Sequence, residues 1–80
     1  MSLERAVIKS HLAQAEQAAR LGREHVERQI EIVANLEKDG HDTQAARRLL
    51  RTFEEVQAEH EAHRERLRAE LRALAGPDEG

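Results

Sequence analysis

The run KDGHDT at residues 38–43 is the only strong break in 80 residues that otherwise read as helix. Gly40 can adopt the left-handed conformation that ends a helix at low steric cost. Asp42 or Thr43 can then accept a hydrogen bond from a free backbone N–H at the start of the next helix. The sequence therefore predicts an all-α antiparallel hairpin, with a helix over about 3–38, a turn at about 39–42 and a second helix over about 43–75.

Both ends of the chain are expected to add little to this hairpin. The pair Gly76-Pro77 should stop the second helix, because glycine favours the end of a helix and proline cannot continue one. The terminal residues Met1–Leu3 and Glu79–Gly80 resemble additions made for expression. The whole chain, residues 1–80, is thus expected to form one domain.

Composition excludes several classes of protein. The chain has no cysteine, which removes disulfides, thiolate metal sites and cysteine nucleophiles and fits a reducing, cytoplasmic setting. Its net charge is -3, and acidic and basic residues are interleaved, which argues against nucleic acid as the main partner. No apolar run approaches the roughly 18 residues needed to span a membrane, so no membrane association is expected.

Apolar residues recur with alternating steps of three and four along both helices, so each helix is expected to have one apolar face. The first line is Ile8, Leu12, Ala15, Ala19, Gly22, Val26, Gln29, Val33 and Leu36. The second line is Ala46, Leu49, Phe53, Val56, His60, His63, Leu67, Glu70 or Leu71, and Leu74, and Leu50 widens it near the turn. Folding at Gly40 should place the small residues around Ala19 and Gly22 opposite His60 and His63. It should also put the densest part of the core near the turn.

A two-helix seam in a chain this short is marginal, because much of the 39% hydrophobic content is alanine, which buries little area. Self-association would bury the same apolar faces more completely. We therefore expect a homodimer that forms a four-helix bundle and acts as a small interaction or oligomerisation module, with an unidentified protein partner as the alternative occupant. The expected interface residues are Leu12, Val26, Val33, Leu36, Leu49, Phe53, Val56 and Leu67.

Enzymatic activity is not expected, and no cofactor is predicted. The sequence contains no glycine-rich phosphate loop, no zinc-protease helix and no nucleophile elbow. A thin layer of two helices also offers no deep pocket for a substrate.

Two other functions remain open. Arg47, Arg48 and Arg51 form a basic patch at the start of the second helix, where cations are disfavoured by the helix dipole, and a dimeric RNA- or DNA-binding regulator would use such a patch. Acidic residues follow at once, and no aromatic side chain is interleaved for base stacking. A solvated surface is the simpler interpretation of the patch.

The second of these functions is that of a metal-binding helical bundle, which would use histidines of the two helices. His60 and His63 have a spacing that puts two imidazoles on one helix face within reach of one metal ion, and His25 and Glu59 are weak additional candidates. The same histidines suggest a pH-dependent stability, since histidine changes charge near neutral pH. Space-filling polar residues at the edge of the core are the commoner role for such a pair.

The block around the turn resembles a set of short bacterial helical proteins of uncharacterised function that share the pattern LE-x-DGHDT-x-x-A-x-x-LL-x-TFE. In this chain the block runs from Leu36 through Gly40, His41, Asp42 and Thr43 to Glu54. The resemblance implies a small helical protein and carries no activity, cofactor or partner. It draws attention to His41, whose expected role is capping of the helix ends, with a polar recognition tip as the alternative.

Overall fold

The computed structural model describes residues 3–75 and contains two α-helices that pack against each other, α1 (Leu3–Lys38) and α2 (Gln44–Ala75). Helix accounts for 93% of these residues, and no strand occurs among them. The predicted two-helix hairpin is confirmed, with α2 beginning one residue later than expected; the predicted stop at Gly76-Pro77 lies outside the described residues. Neither described helix contains a segment long and apolar enough to cross a membrane.

The turn closes α1 by the mechanism that its sequence predicts. Gly40 has a φ of 75°. Its N–H donates to the carbonyl of Glu37 at 3.1 Å, and the N–H of His41 donates to the carbonyl of Leu36 at 2.9 Å. These two bonds form the Schellman arrangement, which satisfies carbonyls that the end of a helix leaves free. Asp42 then caps α2, because its Oδ1 accepts a hydrogen bond from the N–H of Gln44 at 3.0 Å.

The seam between the helices follows the predicted line on α1 and a shifted line on α2. Every residue of the α1 line from Ile8 to Leu36 is buried or half-buried. On α2, Leu50 and Gln57 occupy the seam, whereas Leu49 and Val56 are 45% and 41% exposed. The expectation that Leu49, Val56 and His63 face α1 was therefore wrong. Because Leu49 and Leu50 are adjacent, α2 can pack against α1 either through the row that contains Leu49 or through the row that contains Leu50. The hydrophobic periodicity alone does not choose between these two rows.

The core of the hairpin is small and is spread along its length. The hydrophobic residues that are buried in the described part of the chain are Ala15, Ala19, Val33 and Leu67, and Ala19 alone among these four is at 0% exposure. No large side chain within residues 3–75 is wholly removed from solvent. Burial thus reaches its maximum in the middle of α1, where side chains are smallest, and not near the turn as expected.

Two buried glutamines join the helices through backbone carbonyls. Gln29 of α1 donates through Nε2 to the carbonyl of Ala46 at 3.0 Å, and Gln57 of α2 donates through Nε2 to the carbonyl of Ala19 at 2.7 Å. Alanine has the small side chain that lets a glutamine amide reach the backbone of the facing helix. A buried amide without a hydrogen-bond partner costs free energy, so these two bonds favour the one register of the helices in which both can form.

Candidate functional site

The seam divides the surface of the hairpin into two faces, each defined by residues seven apart, which lie in line along packed helices. The charged face consists of Glu16, Arg23, Ile30 and Glu37 on α1 with Arg47, Glu54, Glu61 and Arg68 on α2. The histidine face consists of His11, Ala18, His25 and Ile32 on α1 with Leu49, Val56, His63 and Glu70 on α2. Seven of the eight residues that define the charged face carry a charge, against one on the histidine face.

The charged face is crosslinked by ion pairs between the two helices. Glu16 accepts a hydrogen bond from Arg68 at 3.2 Å, and Glu37 pairs with Arg47 at the end nearest the turn. Ile30 is the one large aliphatic residue among the eight that define this face, and it is 48% exposed. Four of the seven charged residues that define this face therefore form ion pairs across the seam within a single hairpin.

Most of the large aliphatic side chains that remain exposed lie on the histidine face or in the helical row of α1 beside it. Ile32, Leu49 and Val56 are between 40% and 45% exposed, and the adjoining outer row of α1 adds Val7 and Leu21 at 43% and 47%. Scattered single hydrophobic residues are normal on a protein surface, but five of the eight exposed ones lie on this side, against one, Ile30, on the charged face.

Shallow hollows indent the histidine face along its length. One is bounded by Leu21, Gly22 and His25 of α1 and by Val56 and His60 of α2. A second lies closer to the open end, where His11, Ala18 and His63 line it. At the edge of the first hollow the rings of His25 and Phe53 lie 5.9 Å apart between centroids, with their planes tilted by 39°. The surface of this face is therefore concave between protruding aliphatic side chains.

The two histidines that the sequence singled out for metal binding differ in exposure and line different hollows. His60 is half-buried beside Gly22 in the first hollow, together with His25, whereas His63 is exposed in the second hollow. Glu59 is exposed. Within residues 3–75 no three histidine or carboxylate side chains come close enough together to hold a metal ion.

The basic patch at the start of α2 is partly engaged within the hairpin. Arg47 pairs with Glu37 and also donates through Nε to Thr43 Oγ1 at 2.9 Å. Arg48 and Arg51 are exposed. One of the three arginines that a nucleic-acid surface would use is thus already held by an acidic residue of the same chain.

At the turn, His41 contributes through its backbone. Its N–H completes the end of α1, while its side chain is exposed and makes no hydrogen bond among those found within residues 3–75. Gly40 and Asp42 account for the capping, and Thr43 holds Arg47. The side-chain role expected for His41 in capping is therefore not seen, and a recognition tip stays a prediction.

The eight residues predicted as an interface divide into two groups. Leu12, Val26, Val33, Leu36, Phe53 and Leu67 are buried or half-buried in the seam of one hairpin, and Leu49 and Val56 lie on the histidine face. Sequence reasoning missed Gln57 because the predicted line on α2 passes through the apolar Val56, one residue earlier. Its position between Phe53 and His60, four residues after one and three before the other, was the available signal.

Comparison with known proteins adds no further constraint on the site. No protein-family model, curated protein or solved structure matches this chain.

Proposed function

We propose that this protein is a small self-association module, a helical hairpin that functions as a homodimer in a four-helix bundle. The observation that carries the proposal is the incomplete core of the single hairpin. Only four hydrophobic residues among those described are buried, and two of them are alanines, while eight large hydrophobic residues are exposed. A substantial part of the apolar area that would stabilise the helices is therefore still in water.

The exposed area of the chain supports the same conclusion. The hairpin extends over 60 × 18 × 17 Å and exposes 6047 Å². A compact monomer of this mass is expected to expose roughly 4,900 Å². The excess of about 1,100 Å² exceeds the roughly 800 Å² that each partner buries in a stable interface of standard size. A second copy can thus cover the surplus without any change in the fold.

Sedimentation equilibrium combined with thermal melting tests this proposal. The chain should sediment with twice its own mass at micromolar concentration. Its melting temperature should rise over about a hundredfold increase in concentration, because dissociation accompanies unfolding in a dimer. A monomeric mass with a cooperative melt that does not depend on concentration would contradict the proposal.

Treatment with EDTA separates apolar association from association through a metal ion. An unchanged dimer mass after EDTA supports burial of apolar faces as the driving force. Loss of the dimer on EDTA treatment, restored by adding zinc, would show instead that histidines of two copies share a metal ion.

A further inference from the structure

We propose that the second copy docks on the histidine face, and that the charged face remains in solvent. The inference rests on the proposed self-association and assigns it to one surface. It is carried by the different composition of the two faces, by their exposure and by their shape.

Desolvation disfavours the charged face as the interface. Covering it would remove from water the ion pairs of Glu16 with Arg68 and of Glu37 with Arg47, whose side chains are 40–52% exposed. Taking charged groups out of water is costly unless the new partner supplies well-placed opposite charges. The core of a protein interface is correspondingly depleted of charged residues.

Apolar burial favours the histidine face. Val7, Leu21, Ile32, Leu49 and Val56 would each lose exposed area on one contact surface. In an interface with two-fold symmetry the same patch is supplied by both copies, so each aliphatic side chain meets an apolar surface. The hollow beside Gly22 and His60 offers a recess for protruding side chains of the partner.

Two isoleucines on α1 provide a matched test. Ile32 on the histidine face is 40% exposed and Ile30 on the charged face is 48% exposed, so the same substitution can be made two residues apart. Ile32→Glu should weaken the dimer by at least about a hundredfold, because it places a carboxylate in the apolar contact. Ile30→Glu should leave the dimer mass unchanged under the same conditions in sedimentation equilibrium.

The outcomes separate this inference from the proposed function. A dimer that survives Ile32→Glu, or that Ile30→Glu dissociates, would overturn the assignment of the face and leave self-association intact. A monomeric unsubstituted chain would overturn both proposals.

Cysteine accessibility keeps the inference testable if Ile32→Glu fails to fold. The natural chain contains no cysteine, so a single introduced thiol reports one position. Val56→Cys on the histidine face should react with a thiol reagent at least about tenfold more slowly at high protein concentration than after dilution below the dissociation constant. Glu54→Cys on the charged face should react at the same rate at both concentrations, and equal behaviour of the two thiols would contradict the proposal.

Discussion

The charged face and the histidine face lie on opposite sides of one seam, and they differ in what a single hairpin can satisfy. Glu16 and Glu37 meet Arg68 and Arg47 across the charged face within one chain. On the histidine face, large aliphatic side chains such as Ile32 and Val56 stay 40% or more exposed. The difference teaches that ion pairs on one side of the hairpin form within a single chain, and we infer that the aliphatic side chains on the other side need a partner.

The largest expected effect separates the seam from the histidine face. Leu67 is 6% exposed in the seam, and Leu49 on the same helix is 45% exposed. Leu67→Ala should lower the free energy of unfolding by about 2–5 kcal/mol, because it removes a buried side chain and leaves a cavity. Leu49→Ala should lower it by less than about 1.5 kcal/mol in dilute protein, as measured by urea unfolding followed by circular dichroism.

Repeating the Leu49→Ala measurement at high protein concentration sharpens the same comparison. Its effect should grow there, since the proposed dimer buries Leu49 further, while the effect of Leu67→Ala should change little. Equal losses for the two variants in dilute protein would place Leu49 in the seam and remove the distinction between the seam and the histidine face.

The next effect concerns Gly22, which lies where the seam meets the histidine face. A Cβ at Gly22 would collide with Gln57 Oε1. The amide of Gln57 is held in place because its Nε2 donates to the carbonyl of Ala19 and to Glu61. Gly22→Ala should therefore destabilise the hairpin by about 1–3 kcal/mol, although alanine is the better helix former by about 1 kcal/mol.

A double-mutant cycle identifies the cause of that loss. In a Gln57→Ala background the same Gly22→Ala substitution should become neutral or stabilising, which gives a coupling of at least about 1 kcal/mol. Additive effects of the two substitutions in urea unfolding would show that the contact between Gly22 and Gln57 does not restrict the seam.

The sequence predicts the hairpin because its signals are local. Gly40 and Asp42 determine the turn through backbone conformation and a short-range hydrogen bond, and the structure confirms both. The row of α2 that enters the seam depends on long-range contacts. Gln57 belongs to it because the facing Ala19 exposes a carbonyl and Gly22 leaves space, and neither condition is visible from the hydrophobicity of α2 alone.

The charged face and the histidine face could be recognised from the sequence only after the row of α2 that enters the seam was known. Choosing Leu49 and Val56 for the seam hides the histidine face, since its aliphatic residues are then counted as core. Once Leu50 and Gln57 occupy the seam, the seven-residue spacing separates the charged residues from the histidines and aliphatic residues.

The smallest expected effect is on the charged face. Glu16→Gln removes one partner of Arg68, and both side chains are at least 40% exposed, so water already screens their attraction. Arg68 also keeps its hydrogen bond to Glu65 at 2.9 Å. The loss in the free energy of unfolding should stay below about 1 kcal/mol and should shrink further in about 1 M salt, which urea unfolding at two ionic strengths measures. A loss as large as that of Leu67→Ala would mean that the charged face stabilises the hairpin as much as the seam does. The contrast between the charged face and the histidine face would then depend on electrostatics more than on apolar burial.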